Sequence, residues 1–274
     1  MSAEGPPVGR ERDVFGRTAV EATALARLYD VDMVEDPGDV DLYRALAART
    51  DGPILELAVG TGRLAVALAL DGRRVTGVDI DPAMLDRARD RAARAGVARG
   101  ALDLVEADLR DVTLPGAGSF GFGFVALNSL LVLGDRAAQR TAVATLARHL
   151  GPGGIAAVDV WLPDAEDLAR FDGRVILEYP RQDPESGRLV VKVGSALHDA
   201  SRQLVSLTTI YEEGEPGRPA DRWVRQDRLR LVSVDELRSF AEDAGLVVET
   251  IAGTYDLDPI GPTSERAILV ARMP

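Results

Sequence analysis

A glycine-rich loop at residues 56–63 is the segment whose residue types and spacing point most directly to chemistry. It reads Glu-Leu-Ala-Val-Gly-Thr-Gly-Arg and joins an apolar run, Ile54–Val59, to a helical pattern that begins at Leu64. Gly60 and Gly62 have no Cβ, so the backbone can turn sharply and a ligand can lie against it. Because the N-terminus of the following helix offers unpaired N–H groups to an acceptor, the loop predicts a ligand site.

A carboxylate follows this loop at a spacing that suits a ribose. Asp79 ends the next apolar segment, Arg74–Val78, about 20 residues further on, where a carboxylate can accept both hydroxyls of a ribose. The loop and Asp79 together predict a nucleoside-containing cofactor. Two alternatives stay open at this point. The segment Gly60–Ala65 also fits the G-x-G-x-x-G/A fingerprint of dinucleotide-binding enzymes, and a tight strand-to-helix turn needs no ligand.

Four segments in the right order resemble the motifs of one enzyme family. The loop resembles motif I of class I S-adenosylmethionine (SAM)-dependent methyltransferases, E/D-x-G-x-G-x-G, with Ala58 in place of the first glycine. Residues 77–85 resemble the second-strand signature of this family, residues 106–109 its third-strand motif, and residues 150–154 the turn before its fifth strand. The resemblance implies a methyltransferase (EC 2.1.1.-) with SAM as cofactor and S-adenosylhomocysteine as product.

The same resemblance implies the contacts of individual residues with this cofactor. Gly60 and Gly62 would face the methionine part, and Asp79 would hold the ribose hydroxyls. Ile80 would pack on adenine, and Asp108 would accept the adenine amino group. The other residues implied to bind the cofactor are Tyr29, Glu56, Ala58, Met84, Leu109 and Asn128.

Several of these residues have a structural alternative that the sequence leaves open. Ile80 and Met84 could fill the core, as buried apolar residues usually do. Asp108 could cap a helix or a turn instead of binding adenine. Asp81, which precedes Pro82, is interpreted as a helix N-cap rather than a ligand.

Three side chains are candidates for a catalytic role, namely Tyr29, Asn128 and His198. Tyr29 begins a Tyr-Asp pair that resembles the N-terminal segment closing over the cofactor in many relatives. Asn128 follows the fourth predicted strand, Phe120–Leu127, and the resemblance implies that the residue there borders both the methionine part and the substrate. His198 lies at the expected turn of a β-hairpin. The other histidine, His149, ends a helix, where a cation interacts favourably with the helix dipole.

The elements that position these residues alternate between strand and helix from Ile54 to Val160. This alternation predicts an α/β fold with a doubly wound, mostly parallel sheet. The resemblance implies seven strands in a Rossmann-like methyltransferase fold. A helix is expected from Pro82 to about Ala95 with Gly96 as its stop, and another follows Ser233, which begins a capping box.

A β-rich block interrupts this alternation. Arg188–Leu197 and Leu204–Glu213 predict an antiparallel hairpin, and Asp221–Val232 predicts a further strand. We therefore expect an N-terminal tail and helical lid at 1–50, a SAM-binding core at 51–162 with 233–274, and an insertion at 163–232 that forms a substrate pocket or dimer surface. Candidate residues of the substrate pocket are Trp161, Tyr179, Tyr211, Trp223, Arg225 and Tyr255.

Composition narrows the classes of partner and site. The 274 residues include 32 Lys plus Arg and 44 Asp plus Glu, a net charge of −12, which disfavours nucleic acid and anionic membranes as partners. The absence of cysteine excludes disulfides and thiol nucleophiles, and two histidines disfavour a His-rich metal site. No metal is expected. Without an apolar membrane-length segment or a signal sequence, the expected location is cytoplasmic.

The weak evidence for a general base favours an amine as the methyl acceptor. An amine needs only to arrive neutral, whereas a hydroxyl acceptor usually needs a base. The layout of the chain also resembles N-methyltransferases of natural-product pathways, which act on amino sugars or peptide antibiotics and in several cases form homodimers. We therefore expect methyl transfer to a small-molecule amine, with catalysis mainly by positioning. The alternatives are an O-methyltransferase, a NAD-dependent dehydrogenase and a non-catalytic SAM-binding protein.

Overall fold

The strands form two separate β-sheets, and helices lie between and around them in the chain. The computed structural model describes residues 12–35, 37–215 and 217–274. The helices are α1 (Ala19–Asp32), α2 (Val40–Ala48), α3 (Arg63–Leu70), α4 (Pro82–Ala95), α5 (Arg136–His149), α6 (Ala165–Arg170) and α7 (Val234–Asp243). The strands are β1 (Ile54–Leu57), β2 (Val75–Asp79), β3 (Leu102–Glu106), β4 (Phe120–Val125), β5 (Leu150–Trp161), β6 (Asp172–Gln182), β7 (Leu189–Asp199), β8 (Leu204–Gly214), β9 (Asp221–Arg230), β10 (Val247–Ala252) and β11 (Arg266–Arg272).

The larger sheet has seven strands in the order β10-β11-β5-β4-β1-β2-β3. Strand β1 pairs in parallel with β2 and β4, whereas β11 runs antiparallel to both β5 and β10. The chain thus winds outward from β1 to β3 and then crosses back to β4. Ligands of such sheets bind at the carboxyl ends of the strands where the order reverses. This architecture confirms the predicted α/β fold.

Side chains at helix ends account for the helix boundaries predicted around the cofactor region. Asp81 accepts a hydrogen bond from the backbone of Ala83 and caps α4, with Pro82 in its first turn. Gly96 ends the helix with a φ of 73°, the left-handed conformation that favours glycine. The capping box of Ser233 at the start of α7 is also present. These local predictions are confirmed.

Helices cover both faces of the larger sheet. Leu55 and Leu57 of β1 belong to a buried cluster with apolar residues of α5 and α7. Ile54 belongs to the cluster on the opposite face, with residues of α2 and α3. Because side chains alternate along a strand, Glu56 also points to the face covered by α2 and α3. A buried carboxylate therefore lies beside an apolar layer at the end of β1.

The smaller sheet is antiparallel with the order β6-β7-β8-β9. The predicted hairpin is confirmed, but two details differ from the sequence prediction. Strand β6 was not predicted as a strand, and its residues before Tyr179 are exposed, so no buried alternation marks it. His198 lies within β7 opposite Val205 rather than in the turn, because the ladder continues to Asp199.

Two helices, α1 and α2, lie in the N-terminal region where a helical lid is expected. Thr18 caps α1 through a capping box with Glu21, and α1 ends at Asp32. Helix α2 begins after Asp39, whose side chain is fully buried. Among the described residues, no helix is both long and apolar enough to cross a membrane.

Candidate active site

The loop between β1 and α3 passes the ends of β2 and β4. Gly60 has a φ of 54°, and a Cβ at this position would meet no atom within 4 Å. Its N–H donates a 2.8 Å hydrogen bond to Oδ2 of Asp79 at the end of β2. The loop is therefore held against the carboxylate predicted to bind ribose, and open space lies next to Gly60.

Gly62 is needed for packing rather than for an open ligand surface. Its φ is 79°, and a Cβ there would lie 3.0 Å from Cβ of Ala88 in α4. Ala58 has a φ of 61° although it carries a side chain. In the family motif a glycine stands at this position, and the left-handed conformation explains why.

Glu56 is buried beneath this loop and lacks a full set of partners. Its Oε2 has no hydrogen-bond partner among the described residues. Burial raises the pKa of Glu56 well above its ordinary range, although the nearby Arg63 guanidinium lowers it in part. An unpaired buried carboxylate is costly, and a cationic ligand group would relieve that cost.

Arg63 begins α3 next to Glu56. Its guanidinium makes two 2.6 Å hydrogen bonds to the buried carboxylate of Asp39, which precedes α2. A cation in the first turn of a helix opposes the helix dipole. That position was the signal in the sequence that Arg63 needs an acidic partner, although nothing in the sequence identified Asp39.

Helix α1 covers the loop from the N-terminal side. Tyr29 lines the same pocket as Glu56 and Gly60, and burial raises the pKa of its hydroxyl. Asp30 accepts a 2.7 Å hydrogen bond from the hydroxyl of Thr61 in the loop. The predicted Tyr-Asp pair thus lies directly on the loop, whereas the contact with Thr61 had no signal in the sequence.

The segment after β2 contains the next group of predicted cofactor residues. Oδ1 of Asp79 accepts a 2.9 Å hydrogen bond from the N–H of Asp81, and burial raises the pKa of Asp79. Asp81 pairs with Arg17 at 2.7 Å in addition to capping α4. Ile80 and Met84 are half-buried at the start of this segment. The interpretation of Asp81 as a cap agrees with its contacts.

Asp108 and Leu109 follow β3. The carboxylate of Asp108 forms an ion pair with Arg110, and hydrogen bonds from that side chain lower the pKa of Asp108. Leu109 packs against the buried cluster of α5 and α7. A role for Asp108 at adenine therefore requires that it share its oxygens with Arg110.

Residues after β4 form the wall opposite α1. Ala126, Leu127 and Ser129 line the pocket, and Leu127 has a φ of 50°. The side chain of Asn128 is turned away, since its Oδ1 accepts a 2.8 Å hydrogen bond from the N–H of Trp161. Asn128 thus connects β4 to the end of β5.

Four of the predicted substrate-pocket residues lie in the smaller sheet, and two of them are bonded to α1. The hydroxyls of Tyr179 and Tyr211 both donate to Asp32 in α1. Trp223 donates to Glu213 at 3.0 Å. Arg225 pairs with Asp227 at 2.7 Å.

Tyr255 and Trp161 do not belong to the smaller sheet. Tyr255 donates a 3.1 Å hydrogen bond to the buried carboxylate of Asp159, and the Trp161 ring packs on Phe171 with 5.7 Å between centroids.

Neither histidine lines the pocket at the loop. Nε2 of His149 accepts a 3.1 Å hydrogen bond from the N–H of Leu114, and Nδ1 lies 2.7 Å from the carbonyl of Thr145. Burial lowers the pKa of His149, and Nε2 accepts a hydrogen bond, so the imidazole is neutral. It connects α5 to the backbone at Leu114. The explanation of His149 as a cation at a helix end is therefore wrong, because the imidazole is fully buried.

Comparison with known proteins identifies the same region as a functional domain. Residues 54–154 match the family described as "Methyltransferase domain". The chain is 28% identical over 263 residues to the cypemycin N-terminal methyltransferase of Streptomyces sp, covering 94% of this chain and 96% of that protein. It is 27% identical to the dTDP-3-amino-3,4,6-trideoxy-alpha-D-glucopyranose N,N-dimethyltransferase of Streptomyces venezuelae, covering 81% of this chain and 86% of that protein.

A solved structure shares the fold at a lower level of identity. The SAM-dependent methyltransferase from Clostridium acetobutylicum superimposes with a TM-score of 0.75 and 17% identity, covering 91% of this chain and 98% of the other. This similarity extends over both sheets and not only over the matched domain.

The residues around the loop fit the cofactor of such enzymes. The unpaired Oε2 of Glu56 suits the ammonium of the methionine part, and the space at Gly60 accepts a ligand against the backbone. Asp79 accepts backbone hydrogen bonds from Gly60 and Asp81, and its carboxylate oxygens are the acceptors that ribose hydroxyls require. With a methyltransferase domain at residues 54–154 and relatives of this kind, the chain is a SAM-dependent methyltransferase.

Proposed function

We propose that this enzyme methylates an amine of a small natural-product molecule, such as an amino sugar or the free N-terminus of a peptide. The two relatives reported above are named as N-methyltransferases of these two substrate classes. The observation that carries the proposal is the position of the histidines, because both lie outside the pocket lining. A neutral amine has its own lone pair and needs no strong base, whereas a hydroxyl usually does.

The chain's own residues would act by binding and orientation. Glu56, Gly60 and Asp79 would hold the cofactor, which supplies an activated methyl group when bound. Tyr29 and Leu127 would close the pocket from two sides and exclude water. Alignment of the acceptor at about 3–3.5 Å from the reacting carbon would then provide most of the rate enhancement.

We assign roles to the parts of the chain on the same basis. Residues 51–162 with 233–274 would form the cofactor-binding core, and α1 with α2 would be the lid. The insertion at 163–232 would supply the acceptor side of the pocket and a dimer surface. Trp161, Arg225 and Tyr255 stay candidates for contacts with the acceptor. The net charge of −12 supports a small molecule over a nucleic acid.

A second copy of the chain is the proposed occupant of the edge of the smaller sheet. Strand β6 is an edge strand, and its Val175, Ile176 and Leu177 are 69%, 47% and 61% exposed. Consecutive exposed apolar residues on an unpaired edge favour pairing with an identical strand. We expect sedimentation to give a dimer and Ile176→Lys a monomer, with Val247→Lys on β10 as the control. A monomeric wild-type chain would refute this assignment.

Methyl transfer from labelled SAM to a panel of acceptors tests the proposed activity. The panel contains amino sugars, short peptides with free or blocked N-termini, and matched phenols and alcohols. We expect label on amines and none on blocked peptides. Transfer to phenols or alcohols alone would establish the O-methyltransferase alternative instead.

A further inference from the structure

The last turn of α1 connects the cofactor loop to the smaller sheet. Tyr29 and Asp30 face the loop, as described above. Asp32 lies two residues further on, which places it about 200° around the helix from Asp30, and it contacts the sheet instead. One helical turn therefore touches both parts of the molecule.

Three strands donate to the single carboxylate of Asp32. Oδ2 accepts hydrogen bonds from the Tyr211 hydroxyl at 2.6 Å and from Nζ of Lys192 at 2.9 Å. Oδ1 accepts from the Tyr179 hydroxyl. These three donors are cross-strand neighbours, with Tyr179 opposite Lys192 and Lys192 opposite Tyr211. The carboxylate thus fastens β6, β7 and β8 to the end of α1.

The donors are suited to this task. Burial and the nearby Asp32 charge raise the pKa of both tyrosines, so their hydroxyls stay protonated and can donate. Lys192 is the only lysine in the chain. Its ammonium offers three donors, and it also pairs with Glu178 at 3.0 Å.

Asp30 forms an equally dense set of contacts on the loop side. Besides Thr61, it pairs with Arg87 at 2.6 Å and with Arg91 at 2.7 Å, both in α4. Any shift of the last turn of α1 therefore moves a side chain that is bonded to the loop. A displacement of the smaller sheet would therefore move Asp32, and with it Asp30 in the same helical turn and the loop residue Thr61 that Asp30 contacts.

We propose that Asp32 is a positioning residue that couples the smaller sheet to cofactor binding. The inference rests on the proposed cofactor site at Glu56–Arg63. Asp32 acts through Tyr29 and Asp30 and does not itself touch the loop. The sheet carries the proposed acceptor side and dimer edge. Binding of an acceptor or of a second copy of the chain there therefore changes the affinity of the loop for the cofactor.

Other contacts keep α1 docked when Asp32 is changed. Arg27, earlier in the helix, pairs with Asp183, which follows β6, and with Glu213 of β8. Leu25 and Leu28 pack against Val190 and Tyr211 in a buried cluster. Asp32→Asn therefore frees only the last turn, whereas Asp183→Asn weakens the same docking without touching that turn. Asp183→Asn is the matched control.

Affinity for S-adenosylhomocysteine gives the first readout. We expect Asp32→Asn to weaken binding about tenfold and Asp183→Asn by less than twofold, with both variants folded by circular dichroism. The effects of Asp32→Asn and Thr61→Val should be less than additive, because both act on the position of Asp30. Wild-type affinity in Asp32→Asn, or equal losses in both variants, would overturn the inference.

The single lysine gives a second readout that a purely structural role would not move. In protein labelled with ¹³C-lysine, only Lys192 contributes side-chain signals. We expect S-adenosylhomocysteine to shift the Cε signal in the wild type and to leave it unshifted in Asp32→Asn. An unshifted signal in ligand-saturated wild type overturns the coupling. Failure of the wild type to bind the ligand at all would instead refute the cofactor site.

Discussion

The replacement Glu56→Gln should have opposite effects on cofactor binding and on stability. The variant keeps the shape of the side chain and an oxygen that can accept from the backbone N–H of Ala65. It removes the negative charge whose Oε2 has no partner among the described residues. A hydrogen bond to a charged group contributes about 1.5–3 kcal/mol. We therefore expect the Kd for SAM to rise about 10- to 150-fold.

The same change should stabilise the cofactor-free chain at neutral and higher pH. Burial raises the pKa of Glu56 above its unfolded value, so the folded chain holds a proton that the unfolded chain has lost. The free energy of unfolding of the wild type then falls as the pH rises from about 4.5 through that raised pKa. In Glu56→Gln this part of the pH dependence disappears, so the stability of the variant relative to the wild type should be greater at pH 8 than at pH 5.

Calorimetric titration and urea denaturation at pH 5 and pH 8 measure the two effects. Glu106→Gln, at the exposed end of β3, is the control and should change neither by a measurable amount. The reasoning is refuted if Glu56→Gln binds SAM as tightly as the wild type, or if it is less stable than the wild type at pH 8.

There are three further predictions. Two concern backbone conformation in the loop, and the third concerns one buried imidazole. Gly60→Ala adds a methyl group to open space at the loop, so calorimetry should show at least tenfold weaker SAM binding with a stability loss of only about 1 kcal/mol. Ala58→Gly relieves a φ of 61° and should raise the free energy of unfolding in urea by up to about 1 kcal/mol. Burial lowers the pKa of His149, so below about pH 6.5 the unfolded chain binds a proton that the folded chain does not. Wild-type stability to urea should therefore fall between pH 7 and pH 5, and His149→Gln should flatten that fall.

Controls separate these effects from general damage. Gly72→Ala shares a positive φ and open space with Gly60→Ala but lies away from the pocket, so it should leave SAM affinity unchanged. Ala65→Gly, within α3, should cost about 1 kcal/mol, the opposite sign to Ala58→Gly. Equal effects within either pair would contradict the corresponding prediction.

Local signals in the sequence predicted much of the fold, because each depends on a few neighbouring residues. Asp81 with Pro82, Gly96 and Ser233 predicted their helix ends, and the alternation of strand and helix predicted the sheet. Strand β6 was not predicted, because its exposed residues do not alternate between apolar and polar as a half-buried strand does. His198 was placed in a turn because the length of a β-ladder depends on its partner strand.

The candidate site was predictable only where a motif carries it. The loop and Asp79 are neighbours in space, as their spacing implies. The partners Asp39 of Arg63 and Asp30 of Thr61 come from segments that precede the core, and no spacing rule connects them. Gly62 has a packing reason, Ala88, that only the structure reveals. Long-range pairs of this kind depend on how α1 and α2 dock, which local patterns do not encode.

Calorimetric titration of the wild-type chain with S-adenosylhomocysteine and with NAD, repeated on Gly60→Ala, tests the cofactor site most directly. We predict one S-adenosylhomocysteine bound per chain, no binding of NAD, and at least tenfold weaker binding in the variant. Binding of NAD alone, or undiminished binding of S-adenosylhomocysteine by Gly60→Ala, would contradict a SAM site at Glu56–Arg63.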